Sequence, residues 1–193
     1  MGGVLPGSFH VFAQHATVHS FDEAVGARLE QKLYAIARQG RAAEDEVSLT
    51  RLPQIEINAF LAHQAVERLP TGITDPSIEI GADDQVSANA IVDLSVIRDQ
   101  KERTWLDPLR YLGGQLLAVA SGRLRTGNGE AFLEIHSITV SGIPVPTTVL
   151  QEVVSFYTRT DGRPEGTRLD EPIPLPYRIT ELRLSPGLAV VVQ

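Results

Sequence analysis

The amino-acid sequence predicts an α+β fold in which a long, curved antiparallel sheet packs against two or three amphipathic helices. Several segments carry apolar residues at the spacing of one helix face. Between them lie long runs in which apolar and polar residues alternate, as they do in a strand that is buried on one face. Two of these runs flank an Asn-Gly pair, which is the strongest short-range signal for a β-hairpin.

Length and composition are those of a single folded domain. The chain has 193 residues, and single domains usually have roughly 100–200. We therefore expect one domain over 1–193, with an N-terminal segment and helix in 1–45 and a helix plus the curved sheet in 46–193. Hydrophobic residues make up 42% of the chain and charged residues 21%, which is enough apolar material for a core.

Charge and residue types narrow the classes of function. The formal net charge is -7, whereas nucleic-acid binding needs clustered Lys and Arg, so no nucleic-acid partner is expected. The chain has no cysteine, which excludes disulfides and thiolate metal sites. It has no run of ~18 apolar residues, so no transmembrane segment is expected.

The first helix is predicted over 21–39. Ser20 and Glu23 predict a capping box at its start, and Gly40 stands where the helix should end. A second helix is expected to carry Pro53 in its first turn and to stop at Pro70. Its apolar stripe consists of Ile57, Phe60, Leu61, Ala65 and Leu69, while Glu56, His63 and Glu67 are expected to point away from that stripe.

Alternation predicts a half-buried strand from Val86 to Val96, preceded by a short partner strand from Ser77 to Ile80. The turn between them, 81–84, contains adjacent aspartates, which we interpret as turn formers rather than as a metal pair. A short helix through Leu109 and Leu112 is then expected. Nearby Trp105 is interpreted as a core aromatic, with a membrane-facing lip as the alternative.

The next hairpin is expected to consist of 115–125 and 130–140, joined by a turn centred on Asn128 and Gly129. Counting outward from that turn predicts the facing pairs. One face pairs Leu124 with Leu133, Gly122 with Ile135, Ala120 with Ser137 and Ala118 with Thr139; the other pairs Arg123 with Glu134, Ser121 with His136, Val119 with Ile138 and Leu117 with Val140. A third helix carrying Val149, Leu150, Val153, Val154 and Tyr157, and a last hairpin of 177–184 and 188–192, complete the fold.

The sequence contains no recognised catalytic signature, so the protein is not expected to be an enzyme, and no catalytic residue, metal ion or cofactor is assigned. His10, His15 and His19 cluster before the first helix, but their spacing does not put them on one helical face, and surface histidines are the simpler interpretation. His136 opposite Ser121 could supply a base and a nucleophile. A surface contact across two strands is again the simpler interpretation, because no orienting carboxylate is identifiable.

Small residues recur on one strand face at Ala118, Ala120 and Gly122. Small side chains leave space beside a sheet, which either a closely packed helix or a bound ligand can fill. Helix packing is the simpler of the two explanations.

The order of motifs resembles a known group of proteins. The segments Ile57-Asn58-Ala59-Phe60-Leu61, Leu69-Pro70, 72–76 and 142–146 are separated by a long alternating strand and a long hairpin. This pattern, over roughly 50–193, resembles bacterial envelope proteins that are similar to the tubular lipid-binding (TULIP) superfamily. The resemblance implies binding of phospholipids or other acyl chains between a helix and a curved sheet. It also implies the periplasm or cell envelope as the location, with the cytoplasm as the alternative because the N-terminus lacks the pattern of a secretory signal.

Two functions follow as hypotheses. The first is non-enzymatic binding or carrying of a lipid or another apolar molecule in a channel between helix and sheet. The candidate wall of that channel consists of Phe60, Leu61, Ala118, Ala120, Gly122, Leu133, Ile135, Val153 and Val154. The alternative is a structural or adaptor domain of the cell envelope with a solid core, which binds an unknown protein partner through an exposed sheet edge or through the loop at 161–176.

Overall fold

The computed structural model describes residues 22–42, 46–93, 96, 114–157, 159–160 and 162–193. The helices are α1 (Glu23–Gln39), α2 (Gln54–His63) and α3 (Thr147–Tyr157), with a single 3₁₀ turn at Val66–Arg68. The strands are β1 (Leu49–Pro53), β2 (Ile73–Ile80), β3 (Gln85–Asp93), β4 (Gln115–Gly127), β5 (Glu130–Val140), β6 (Ile143–Pro144), β7 (Ile173–Pro174), β8 (Glu181–Ser185) and β9 (Leu188–Val192).

The predicted fold class is confirmed: the structure is α+β and contains a long antiparallel sheet. That sheet has the order β2-β3-β4-β5-β6, and β7 pairs with the same outer edge of β5 as β6 does. A second, smaller antiparallel sheet has the order β1-β9-β8. Strand β1 was not predicted, because Pro53 was expected in the first turn of a helix. Pro53 both ends β1 and occupies the N-cap position of α2.

Helix α1 begins two residues later than predicted, and its cap differs. Asp22 is the N-cap, and its side chain accepts a hydrogen bond from the Ala24 N–H at 2.8 Å. The predicted capping box was therefore wrong, and Ser20 lies outside the described residues. Gly40 is the C-cap, as predicted. A side chain at Gly40 would clash with the backbone of Tyr177, so this position is restricted to glycine by close packing.

Helices α1 and α2 pack closely together. A Cβ added to Gly26 would lie 2.8 Å from the carbonyl carbon of Ala59, which is fully buried. Lys32 of α1 forms an ion pair with Glu56 of α2 at 2.6 Å and also donates to the Arg51 carbonyl oxygen at 2.8 Å. The prediction that Glu56 points away from the packed side was wrong. Its buried carboxylate is stable there because Lys32 neutralises it.

Polar side chains of α2 attach the helix to the edge of β2. Asn58 accepts from the Ile78 N–H at 2.8 Å and donates to the Ile78 carbonyl oxygen at 3.0 Å. One turn earlier, Gln54 accepts from the Ile80 N–H at 2.8 Å, and the Gly187 N–H donates to the Ile80 carbonyl oxygen at 2.8 Å. The outward backbone groups of Ile78 and Ile80 are therefore satisfied without another strand.

The buried core lies where α1, the small sheet and one end of the long sheet meet. Its members are Leu29, Ile36, Leu52, Ile80, Ile179, Ala189 and Val191. The tip of the β4–β5 hairpin joins this region, since the Thr126 hydroxyl bonds both backbone groups of Leu182 and the Gly129 N–H donates to Thr180. This end of the long sheet is thereby fixed to the small sheet.

The strands of the long sheet differ from prediction mainly at their ends. β2 begins at Ile73, four residues earlier than predicted, and β3 ends at Asp93, whereas Val96 is helical. The turn between them was predicted correctly: Asp83 and Asp84 both have positive φ, at 53° and 60°. Asn128 and Gly129 form the hairpin turn as predicted, with φ of 53° and 81°. The predicted helix through Leu109 and Leu112, and Trp105, lie outside the described residues.

The predicted register of the β4–β5 hairpin is correct only near its turn. Leu124 faces Leu133 and Gly122 faces Ile135, as predicted, but Ser121 faces Ser137, because a β-bulge leaves His136 without a partner on β4. Beyond the bulge Ala120 faces Ile138 and Ala118 faces Val140, so the four pairs predicted there were wrong. A bulge inserts one extra residue into one strand and shifts every later pair.

The last hairpin starts later than predicted. Its first strand was expected from 177, but β8 starts at Glu181. Tyr177 and Arg178 both have a φ of 58°, in the left-handed region, which is incompatible with an extended strand.

Candidate functional site

The register of the long sheet places apolar side chains from adjacent strands on a single face, because paired residues in neighbouring strands point to the same side. The members of this apolar sheet face are Val86, Ala88, Ala90 and Val92 of β3, Leu116, Ala118, Ala120, Gly122 and Leu124 of β4, and Leu133, Ile135, Ile138 and Val140 of β5. Ile78 and Ile80 of β2 extend it. The opposite face is mainly polar, with residues such as Ser87, Asn89 and Arg123.

The residues of the apolar sheet face are less buried away from the core than next to it. At one end Ile80 is only 4% exposed and belongs to the core. Farther from the core, Val92, Ala118 and Val140 are half-buried and Ala88 is exposed. The apolar sheet face therefore continues beyond the region that the core covers.

The middle strands carry smaller side chains than their neighbours. Ala88 and Ala120 face each other across β3 and β4, between Ile78 on β2 and Ile138 on β5. One step farther on, Ala90 pairs with Ala118 and Val140 follows on β5, while the irregularity in β2 leaves Ala90 without a paired residue on that strand. Small residues next to branched ones leave room for a shallow depression along the strands.

The absence of a side chain at Gly122 has a different structural explanation from the alanines beside it. A Cβ at this position would clash with the Glu134 carbonyl oxygen on β5. Gly122 lies beside the bulge at His136, where the β5 backbone approaches β4. The lack of a side chain here is explained by the neighbouring strand rather than by a helix or a ligand.

Five of the nine residues predicted to line a channel share this face: Ala118, Ala120, Gly122, Leu133 and Ile135. The other four are on helices. Phe60 of α2 packs against the core cluster, and Leu61 is half-buried on the same helix. Val154 is half-buried on α3, and the side chain of Val153 lies outside the described part of the chain.

Helix α3 is fixed by the segment that follows it. Gln151 donates to the Thr167 carbonyl oxygen at 3.0 Å and accepts from the Leu169 N–H at 2.7 Å. A side chain at Gly166 would clash with the Ser155 backbone. The helix and the segment 166–169 therefore form one packed unit.

Ile138 and Val140 were not predicted as members of this face. They were expected on the other face, where Ile138 would oppose Val119 and Val140 would oppose Leu117. A signal was present: the apolar residues of β5 follow a period of two at Ala131, Leu133 and Ile135, then skip one position. Such a skip in an alternating pattern is typical of a bulge.

A surface pocket of about 440 Å³ lies elsewhere, where the end of α1, the hairpin tip and the end of β9 meet. It is lined by Gln39, Gly40, Glu46, Val47, Asn128, Gly129, Leu175, Arg178, Ile179, Thr180, Val192 and Gln193. None of the nine predicted residues lines it. The Gln193 amide donates to Ile36 at 3.0 Å and to Tyr177 at 2.7 Å, so this side chain joins α1 to the turn before β8.

Apart from the Lys32–Glu56 pair, the titratable groups of the long sheet and of the loop after α3 form surface contacts. The suggested pairing of Ser121 with His136 is not formed, because the Ser121 hydroxyl bonds the Ser137 hydroxyl at 2.7 Å. His136 instead lies 3.8 Å from the Glu134 carboxylate. In the exposed loop after α3, hydrogen bonds from Arg168 lower the pKa of the Asp170 carboxyl, as in an ordinary surface ion pair.

Two features are absent from the described residues. Among them, no three His, Cys, Asp or Glu side chains lie close enough together to hold a metal ion. Their helices include none that is long and apolar enough to cross a membrane. The cluster of His10, His15 and His19 falls outside these ranges.

Comparison with known proteins gives no match: no protein-family model, no curated protein and no solved structure matches the chain. The resemblance to TULIP-like envelope proteins therefore stays a prediction from the sequence. The site has to be interpreted from its own geometry, which defines an α+β protein with an extended apolar sheet face.

Proposed function

We propose that this protein binds or carries an apolar molecule, such as a lipid acyl chain, on the apolar sheet face, without catalysing a reaction on it. The observation that carries the proposal is the continuation of this face beyond the core. Burial decreases from Ile80 to Ala88 while the residues that point to this side remain apolar. An apolar surface that extends past the core of its own fold is typical of a binding site.

The depression over Ala88, Ala90, Ala118 and Ala120 suits a long, thin ligand. A chain that removes about 200 Å² of apolar surface from water gains roughly 5 kcal/mol at ~25 cal/mol per Å². Such binding needs few polar contacts, which agrees with the lack of charged side chains on this face. In this proposal Phe60, Leu61, Val153 and Val154 contribute the helical wall, and the periplasm or cell envelope is the location.

The direct test is to identify what the protein carries. Protein purified from its own host is examined by native mass spectrometry, and bound molecules are then extracted and identified. We expect a bound lipid or another apolar molecule, and displacement of that molecule by a fluorescent fatty acid. Protein that is always empty and that binds no fatty acid would contradict the proposal.

A variant locates the binding surface. Ala120→Phe places a large side chain in the depression, so fatty-acid binding should be lost while the thermal midpoint of the lipid-free protein changes little. Asn89→Phe is the matched control, because Asn89 lies on the opposite face of the adjacent strand. This control should bind fatty acid as the unaltered protein does.

The same variants test the adaptor alternative, in which the space over Ala120 is already filled. Overpacking a filled core costs roughly 1–3 kcal/mol. A large drop in the midpoint for Ala120→Phe, without any lipid binding by the unaltered protein, would therefore favour a solid core over a ligand site.

A further inference from the structure

Two strand edges in this fold are covered by other parts of the chain. Asn58 and Gln54 bind the outward backbone groups of β2, with help from Gly187. Thr126 does the same for β8, donating to the Leu182 carbonyl oxygen at 3.0 Å and accepting from its N–H at 2.8 Å. Covering an edge in this way prevents it from pairing with another chain.

The outer edge of β5 is covered only at its two ends in the described structure. β7 pairs with residues 130–131, and β6 pairs with residues 139–140. The Val145 N–H also reaches the Ile138 carbonyl oxygen at 2.9 Å. Residues 132–137 remain between these contacts, and at ~3.3 Å per residue this gap is roughly 20 Å long.

Prolines explain why the flanking strands are short. Pro172 directly precedes β7. β6 ends in Pro144, and Val145 and Pro146 follow it. Proline has no N–H group and cannot continue a ladder of hydrogen bonds. The sequence thus stops both strands before they reach the middle of β5.

The gap has free hydrogen-bonding groups. Gly129 donates to Thr180 and accepts from Leu175, so its backbone groups point away from β4. Because the direction alternates along a strand, the N–H and C=O groups of Leu133 and Ile135 also point outward. Neither residue has a described partner on this side, and Leu133 is 36% exposed.

We propose that this gap binds an extended peptide segment of a partner protein by β-strand addition. Such a segment would hydrogen-bond Leu133 and Ile135 and would place apolar side chains beside them on the apolar sheet face. Between these it would carry Lys or Arg on the polar face, next to Glu134, whose side chain is 58% exposed. Arg125 approaches one carboxylate oxygen of Glu134 from β4 at 3.5 Å, and His136 lies 3.8 Å from the other, but the side chain is still exposed enough to meet a basic residue of an added strand.

Charge favours a peptide over a second copy of this chain. A two-fold pairing of the gap that joins Leu133 to Ile135 of the other copy would put the two Glu134 carboxylates opposite each other. Like charges directly opposite in neighbouring strands are destabilising. The chain also has a net charge of -7, which favours a basic partner. This inference does not depend on whether the protein carries a lipid.

The test uses two synthetic hexapeptides with blocked ends, Thr-Val-Lys-Val-Thr-Val and Thr-Val-Glu-Val-Thr-Val. Amide hydrogen exchange of the full chain is followed by NMR. In the free protein, the Leu133 and Ile135 amides should exchange much faster than those of Phe132 and Glu134, which face β4. The lysine peptide should slow exchange at Leu133 and Ile135, and its backbone N-methylated form should not.

Variants separate strand addition from other contacts. Leu133→Pro removes an outward N–H without removing a bond to β4, so the peptide should no longer protect the Ile135 amide, whereas Leu133→Val should keep that protection. Glu134→Lys should reverse the preference between the two peptides. Slow exchange at Leu133 and Ile135 in the free protein, no effect of either peptide, or protection that rises with protein concentration alone would each overturn the proposal. The last result would identify a second copy as the occupant.

Discussion

Asn58 offers the sharpest test of how this fold holds its long sheet. Its amide satisfies both backbone groups of Ile78, and the residue is only 6% exposed. Asn58→Ala removes two hydrogen bonds and leaves an N–H and a C=O without partners. An unsatisfied buried polar group costs about 1–3 kcal/mol, and alanine recovers roughly 0.5 kcal/mol through helix propensity. We expect Asn58→Ala to lower the free energy of unfolding by about 2–4 kcal/mol.

Substitutions at two further positions on the same helix provide comparisons for the loss of stability expected from Asn58→Ala. Gln54→Ala removes one hydrogen bond, while the Ile80 carbonyl keeps its bond from Gly187, so we expect about half the loss, ~1–2 kcal/mol. Ile55 is 61% exposed, and Ile55→Ala should change the stability by less than ~0.5 kcal/mol. Asn58→Asp keeps the acceptor and loses the donor; its deficit should shrink as the pH is lowered, because a protonated carboxyl can donate to Ile78.

Chemical denaturation with guanidinium chloride measures the free energy of unfolding of all four variants. If the slope of this free energy against denaturant concentration is unchanged, the unfolded states are comparable. An Asn58→Ala variant as stable as Ile55→Ala would contradict this expectation, since water would then satisfy Ile78 equally well. Loss of the Asn58 side chain also exposes the edge of β2. We therefore expect Asn58→Ala, but not Ile55→Ala, to self-associate more readily than the unaltered protein in light scattering.

Three further outcomes follow from the packing. Gly122→Val should destabilise the protein by about 1–3 kcal/mol or more in thermal unfolding, because its Cβ meets the Glu134 carbonyl oxygen; stability close to that of the unaltered protein would contradict the close approach at the bulge. Lys32→Met should cost about 1–3 kcal/mol because it leaves the Glu56 carboxylate buried, and adding Glu56→Gln should recover part of the loss in a double-mutant cycle. Leu29→Ala should cost about 2–4 kcal/mol, whereas Leu33→Ala, at a position 37% exposed, should cost much less under the same denaturation.

The candidate site could be predicted only in part. Alternation in β4 placed Ala118, Ala120 and Gly122 on one face, and the structure agrees. The facing residues on β5 were correct up to Ile135 and wrong beyond it, because the bulge at His136 changes which residues face one another. Counting from a turn assumes an unbroken ladder, and one extra residue invalidates every later pair.

Buried polar residues were the other source of error. Glu56 looked like a surface residue because charged side chains are seldom buried without a partner. Its partner Lys32 is on a different helix, 24 positions earlier, and no local pattern joins the two. Asn58 is similar: the sequence shows an amide in a helix, while its contact with Ile78 depends on where β2 packs.

The sequence by itself determined the fold class, the end of α1 at Gly40, the hairpin turn at Asn128 and Gly129, and the aspartate turn before β3. These features depend on side-chain periodicity and on backbone conformations that a few neighbouring residues decide. Tertiary structure decided which apolar residues share the long sheet face, which polar residues are buried, and which strand edge stays open. Those depend on register and on contacts between distant segments, where one bulge or one buried pair outweighs local preference.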